Sequence, residues 1–325
     1  MTGSAPLHVL AAGALLAATA AAPQPAAAFP DEPITIVVGW PAGGAQDTVG
    51  RLVAEYLEAE LPVSVVVTNV PGAAGANGVR DVEQAAPDGY TLGTKGVHAV
   101  AQSYMNPNAT PLDAMDPLAL VNIDPAAVSV HADTGIEDLE SFIAYLRDNP
   151  GGLINGNDSP GGFSFLTAEL MERALDIELT KVPYQGYAPT VSALVAQEVM
   201  SATLPVPMVA DLHEAGDVNI LAVAAEERHF RAPDVPTFTE LGHDFVFADY
   251  VMIFGPVGLP EDVRDTLESA LLAAIDSEDF RAAADGIGLI LDPQGADGAA
   301  ALMQATDAAV HPVLVEAGLV ETDAQ

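Results

Sequence analysis

Ile34-Thr35-Ile36-Val37-Val38-Gly39-Trp40-Pro41-Ala42-Gly43-Gly44-Ala45-Gln46-Asp47 decides how this chain is read. The β-branched run from Ile34 to Val38 has the pattern of a buried strand. Pro41 cannot donate to a central ladder, so the strand ends before it. Gly43-Gly44 permits left-handed backbone and the close approach of a ligand. Asp47 then reads as the N-cap of a helix with Val49, Leu52, Val53, Tyr56, Leu57 and Leu61 on its apolar face. A strand, a glycine loop and a helix N-terminus, in that order, offer an anion free amides and the positive end of a dipole. An ordinary βα turn that needs glycine fits the same residues.

The same logic recurs along the chain. Val63 to Val67 is a second strand, and it leads into Asn69-Val70-Pro71-Gly72-Ala73-Ala74-Gly75. That loop is not GxGxxG and no matching acidic residue follows, so a dinucleotide site is not indicated. Pro87-Asp88-Gly89 turns into a third strand ending near Lys95-Gly96-Val97. Ligands of open α/β sheets sit beyond the carboxyl ends of strands, which makes Lys95 a candidate partner for an anion, or a solvated lysine. Pro107 to Pro125 reads as loop, and Val128-Ser129-Val130 as a strand crossing into a second lobe. After a helix from Ile136 to Leu146 comes Leu153 to Phe165, containing Ser159-Pro160-Gly161-Gly162-Phe163. It repeats the order strand, polar turn, Gly-Gly, helix. Val182-Pro183-Tyr184-Gln185-Gly186 ends another strand, and Val251 to Pro256 is a strand suited to the return crossing. A last helix runs from about Asp297 to Ala317, with Pro312 inside it.

Bulk composition narrows the classes. Half of the 325 residues are hydrophobic, which is enough for a sizeable core. The 46 acidic and 10 basic residues give a formal net charge of -36, which argues against a nucleic-acid partner. Such an excess fits a solvated acidic surface working in high salt. There is no cysteine, so disulfides, thiol catalysis, Cys-bound zinc and a lipid-anchored cysteine are excluded. Residues 1–28 read as a signal peptide: an apolar run from Leu7 to Ala22 and an Ala-x-Ala end before Phe29, although no Lys or Arg precedes the run. The expected location is periplasmic, with cleavage near Ala28.

Taken together, these pieces resemble the periplasmic solute-binding proteins of tripartite tricarboxylate transporters, the Bug or TctC-like family. The matching segments are Pro33 to Val38, Pro41-Ala42-Gly43-Gly44 with Asp47 and Arg51, Asn69 with Pro71 to Gly75, and Pro87 to Leu92. Val182-Pro183-Tyr184 with Gly186, Pro233 to Thr237, and Gly255-Pro256 with Gly258 complete the set. The resemblance implies an α/β, two-lobed periplasmic-binding-protein fold with two crossings between the lobes and a small carboxylate ligand in the interlobe cleft. The paired strand–Gly-Gly–helix units on either side of Val128 put residues 29–128 and 250–325 in lobe one and 129–249 in lobe two. The resemblance further implies a partner in the integral-membrane permease subunits, a monomer, and no cofactor, metal or catalysis. Carried over residue by residue, it places Ala42, Gly43, Gly44, Asp47, Lys95, Gly96 and Val97 at the ligand from lobe one; Trp40, as an aromatic wall, and Ala74, in the second glycine loop, are candidates from the sequence itself. From lobe two the resemblance places Ser159, Gly161, Gly162, Phe163, Tyr184 and Gly186. The chain departs from the family pattern at Phe165, where a His is usual, at Ala193, where an Asp is common, at Gln197, where a Gly is common, and at Lys95, where small hydroxyl residues are usual. A C-terminal Trp is replaced near His311. These changes favour a carboxylate with an apolar or aromatic body over a tricarboxylate or an amino acid, unless Phe163 and Phe165 are simply helix core.

Two other classes compete. A hydrolase would need a catalytic constellation, but His98, His131, His213, His229, His243 and His311 are scattered, with no HExxH and no GxSxG. Asn155-Gly156-Asn157-Asp158 lacks EF-hand spacing. A sensor lobe that presents its loaded form to a membrane receptor would have the same cleft, and only its gene neighbours would separate it from a transport component.

The charge excess makes one prediction independent of the ligand. Repulsion is screened beyond about 10 Å at 0.1 M salt and about 3 Å at 1 M. The melting temperature, followed by circular dichroism, rises steeply with NaCl; a flat response would show that the acidic surface does not limit stability.

Overall fold

The computed structural model describes residues 1, 3 and 29–321; the expected leader otherwise lies outside the described residues, as does its cleavage point. Strand β1 (Ile34–Val38) is followed by α1 (Ala45–Glu60), β2 (Val65–Asn69), α2 (Ala76–Glu83), β3 (Thr91–Lys95) and α3 (Val97–Met105). Strand β1 lies between β2 and β3, parallel to both. Strand β4 (Met115–His131) then leads through α4 (Leu139–Asp148) to β5 (Ile154–Asn157), α5 (Phe163–Leu175), β6 (Thr180–Pro183), α6 (Tyr187–Val195) and β7 (Ser201–Pro205). Here β5 runs parallel to both β6 and β7. The chain continues with α7 (Ala210–Ala215), β8 (Val218–Val223), β9 (Ala248–Pro256), α8 (Glu261–Asp276), α9 (Glu278–Gly286), β10 (Ile290–Gly295) and α10 (Ala296–Glu316).

The ten strands form one curled α/β sheet whose main path is β2-β1-β3-β9-β4-β7-β5-β6, with β8 and β10 each paired to β4. Strand β4 holds it together. Its first part, Met115 to Pro125, pairs antiparallel with β9, and its last part, Ala126 to His131, pairs with β7 and β8. The expectation of loop from Pro107 to Pro125 is therefore corrected from Met115 onward. Pro117 is tolerated because the β4–β9 register shifts between Pro117 and Ala119, and again between Leu120 and Asn122. On one half of the sheet, Val49, Val53 and Leu57 of α1 and Leu267 and Leu271 of α8 share a core with Ile34 and Ile36 of β1. On the other, Leu166 and Met171 of α5 pack with Phe142 and Leu146 of α4 and with Leu204 of β7.

Local chemistry sets the helix starts. Helix α1 begins at Ala45 with Gly44 as its N-cap, so Asp47 sits inside the first turn and is not the cap. Helix α4 begins at Leu139, later than the expected Ile136, because Asp138 and Ser141 form a reciprocal capping box. Pro260 is the N-cap of α8, and Pro312 lies inside α10. Elements β7, α7, α9 and β10 carry no clear mark in the sequence pattern.

One close approach fixes how β1 meets α2. A Cβ on Gly39 would lie 2.5 Å from the Gly75 carbonyl oxygen, and one on Gly78 2.5 Å from Gly39 Cα. Gly39→Ala is expected to cost about 1–3 kcal/mol through overpacking. Urea unfolding checks this; an unchanged midpoint would mean that the two segments move apart freely.

Candidate functional site

Beyond the carboxyl end of β1 the chain passes Gly39, Trp40 and Pro41 and enters the glycine loop. Asp47 anchors that loop from inside α1. Its Oδ2 accepts from the Gly43 amide and from Arg51 Nε, both at 3.0 Å, and its Oδ1 accepts from Asn69 Nδ2 at 2.8 Å. Asn69 Nδ2 also donates to the Trp40 carbonyl at 2.9 Å. Burial pushes the Asp47 carboxyl up, but the hydrogen bonds from Arg51, Gly43 and Asn69 outweigh it and hold the group below its usual range. With its charge answered by Arg51, Asp47 shapes the loop and does not line the cleft described below. Gly43, with φ of +89°, needs glycine's freedom; Gly44, at φ of -87°, does not.

Gly44, Ala45 and Gln46 then face a narrow cleft, about 360 Å³ when the open solvent at its mouth is included. Trp40, Pro41 and His98 complete the wall on this side. The opposite wall is Phe163 and the turn Gln185-Gly186-Tyr187-Ala188-Pro189 that starts α6. So the N-terminus of α1 looks across the cleft at the N-terminus of α6. Neither helix start carries a side-chain cap, and the amides of Ala45, Gln46, Tyr187 and Ala188 have no acceptor among the described residues. Trp40 stands between the two sides. Its ring meets His98 edge-on at 5.4 Å, and a Cβ on Gly186 would lie 3.3 Å from its Cε3. Phe163 stacks on Phe247 at 4.9 Å.

Two polar atoms of this wall are buried without a partner: Gln46 Oε1 and His98 Nε2. Gln46 Nε2 donates to the Tyr250 carbonyl at 3.1 Å, which leaves its oxygen free. Burial, with the charge of Lys95 behind it, lowers the His98 imidazole to about 3, so the ring is neutral. No Lys or Arg lines the cleft among the described residues.

Of the residues singled out from sequence, Trp40, Gly44, Phe163 and Gly186 line this cleft. The others do not. Lys95 is corrected outright: its ammonium is buried in the core, 3.1 Å from Met303 Sδ and 5.0 Å from the centre of the Phe254 ring. Burial lowers it to about 7. Gly96 and Val97 are covered by Asp249, whose Oδ1 accepts from the Val97 amide at 3.1 Å. Ala42 and Gly43 are exposed outside the cleft wall, and Ala74 packs with Val38 behind Trp40. Gly161 is pressed against Gln102, which donates to the Pro160 carbonyl at 3.0 Å. Gly162 lies against the Asp158 carboxyl. Ser159 bonds to the Tyr184 carbonyl at 3.3 Å, and Tyr184 stands outside the wall beside Tyr187, which lines it. Phe165 also lies outside. Gln46, His98 and Tyr187 escape sequence reasoning; each is an ordinary helix residue in the sequence, and only the tertiary packing turns it toward the cleft.

Behind Tyr187 lie three buried carboxyls. Tyr187 donates to Asp249 Oδ2 at 2.7 Å. Asp124 is directly opposite Asp249 on the β4–β9 ladder, and its Oδ1 has no partner. Burial first, then the charge of Asp249, pushes Asp124 up to about 7; burial raises Asp158 to about 7 and Asp249 to about 6. The described residues contain no group of three or more acidic or imidazole side chains suited to a metal ion.

Known proteins share this architecture. The family model described as "Tripartite tricarboxylate transporter family receptor" matches residues 49–317. A relative from Cupriavidus necator, the UPF0065 protein in the gbd 5' region, is 33% identical over 289 residues, covering 84% of this chain and 86% of the relative. The structure of MatC from Rhodopseudomonas palustris with bound malate superimposes with a TM-score of 0.83 at 28% identity, covering 88% of this chain and 100% of that one. Rpa4515 of R. palustris, solved with adipate, superimposes with a TM-score of 0.85 at 25% identity, covering 90% and 99%.

The raised carboxyls give a pH prediction. The native state holds their protons more tightly than the unfolded chain, whose aspartates titrate near 3.8. Their contribution to stability is full below that value and is lost as pH rises through 6 to 7. In molar NaCl the melting temperature therefore falls between about pH 5 and about pH 8. Asp124→Asn raises it at the alkaline end and flattens the slope; a slope identical to that of the parent protein would show that Asp124 does not titrate there.

Proposed function

The chain belongs to the tripartite tricarboxylate transporter receptor family, and from that premise we propose that it captures a small carboxylate in the cleft beside Trp40 and delivers it to membrane permease subunits. The observation that carries this reading is the pair of uncapped helix N-termini, α1 and α6, aimed at one apolar cleft that no Lys or Arg lines among the described residues. Such amides complement a carboxylate, and the dipole at the start of α1 adds to them. Trp40 and Phe163 reward an apolar body at about 25 cal/mol per Å² of surface removed from water. The relatives of known structure include proteins solved with malate and with adipate, which supports a carboxylate ligand.

On this reading residues 29–128 and 250–325 form one lobe and 129–249 the other, hinged where β4 and β9 run side by side. Binding draws the α6 turn onto Trp40 and closes the cleft. The protein works outside the cytoplasmic membrane, in the periplasm; no helix among the described residues is long and apolar enough to cross a membrane. The transporter's ion gradient, and not the binding protein, supplies the energy.

Calorimetry in about 1 M NaCl, with benzoate, hexanoate, citrate and glutamate as probes, tests the reading. Benzoate or hexanoate is expected to bind more tightly than citrate or glutamate. Gly44→Val places a branched side chain beside the α1 amides, its Cβ in ordinary contact with the Pro41 carbonyl oxygen at 3.9 Å and at a backbone angle that any residue adopts. That variant keeps its melting temperature and loses about tenfold to a hundredfold in affinity, the worth of one hydrogen bond to a charged group. Unchanged affinity would place the carboxylate elsewhere.

A further inference from the structure

Helix α5 also starts at the cleft, but its N-terminus is already taken. Asp158 stands one residue beyond β5 and is fully buried. Its Oδ1 accepts from the Phe165 amide at 2.9 Å and its Oδ2 from the Ser164 amide at 3.3 Å. These are first-turn amides of α5, the groups that a bound anion would otherwise use. Gly162 makes room for this: a Cβ there would lie 2.4 Å from the Asp158 carboxyl carbon. The arrangement is held from behind. Asn157 donates to Asn155 Oδ1 at 2.6 Å and to Thr203 Oγ1 at 3.0 Å, and Thr203 donates to the Ser164 carbonyl at 2.8 Å. The start of α3 is filled in the same way, by Asp249 on the Val97 amide. Of the four helix starts gathered here, α1 and α6 remain open and α3 and α5 carry the protein's own carboxyls.

We propose that Asp158 is a specificity-determining residue: by occupying the α5 N-terminus it restricts the cleft to ligands with a single carboxylate and excludes dicarboxylates. This rests on the carboxylate reading above and narrows it. A second carboxylate reaching past Phe163 meets no free amide of α5 and approaches the carboxyls of Asp158 and Asp249 behind Tyr187. Near neutral pH Asp249 is mostly and Asp158 partly ionised, and their negative charge disfavours a second carboxylate nearby. Arg231, on the neighbouring cavity behind Ala45, offers no alternative partner, because its guanidinium is paired with Asp211 and donates to the Gly286 carbonyl at 3.3 Å.

Hexanoate and adipate share a six-carbon chain and differ by one carboxylate, so their affinity ratio reads the proposal directly. Calorimetry in molar NaCl at neutral pH is expected to show hexanoate bound about tenfold or more tightly than adipate, the worth of the missing charged hydrogen bond. Asp158→Gly frees the Ser164 and Phe165 amides and shifts the ratio toward adipate by a similar factor. Asp158→Asn keeps the side chain's shape but removes its charge, and gives an intermediate ratio; it carries the test if melting curves show the glycine variant unfolded. Adipate bound as tightly as hexanoate by the parent protein, or a ratio unchanged in a folded variant, would overturn the role of Asp158 and leave the carboxylate reading standing. Binding of neither acid by the parent protein or the folded variants would overturn both.

Discussion

Everything in this molecule depends on the pairing of β4 with β9. These two strands run antiparallel from Met115 opposite Pro256 to Pro125 opposite Ala248. Beyond that point β4 continues into pairs with β7 and β8, while β9 has come from the other direction. The two halves of the sheet therefore share backbone hydrogen bonds along this seam. Asp124 and Asp249 face each other at its end, and Asp249 holds Tyr187 and the start of α3. Fold and cleft are thus joined through one buried carboxyl.

The cleft results from selective filling. A sheet that gathers several strand ends also gathers several helix starts, and each is an attractive place for negative charge. The protein supplies its own carboxylates to some of them and leaves others bare. Asp47, placed inside a helix, acts in a further way, tying Gly43, Asn69 and Arg51 into a bracket that keeps the open amides in place. Aspartates set near strands and glycines thus have different jobs: Asp158 and Asp249 fill helix starts, and Asp47 braces one that stays open.

That explains what the sequence could reveal and what it could not. Strand β1, its glycine loop and α1 were legible because β-branched residues, glycines and a helical apolar stripe each leave a local mark. The repeat of this design before α5 was legible for the same reason. The first part of β4 is hidden by Pro117 and Pro125; Pro117 is tolerated where the register with the partner shifts, and that shift depends on β9, far along the chain. Lys95 was misplaced because its position at the end of β3 predicts proximity to the cleft, while its direction depends on Phe254 and Met303. In the sequence Asp158 stands out only as part of a loop without calcium spacing; that the Ser164 and Phe165 amides converge on it is visible only in the fold.

Trp40 packs between His98 and Gly186 at the meeting of the two sides, and it is the one tryptophan in the chain. Indole emission from the intact protein therefore originates at a single known point. With the α6 turn against it the ring is 8% exposed and its light belongs at the short-wavelength end of the range. Withdrawal of that turn would admit water to the same ring and move the emission to the red. If the cleft opens as proposed, the packing that shapes it makes Trp40 a native optical reporter of that motion.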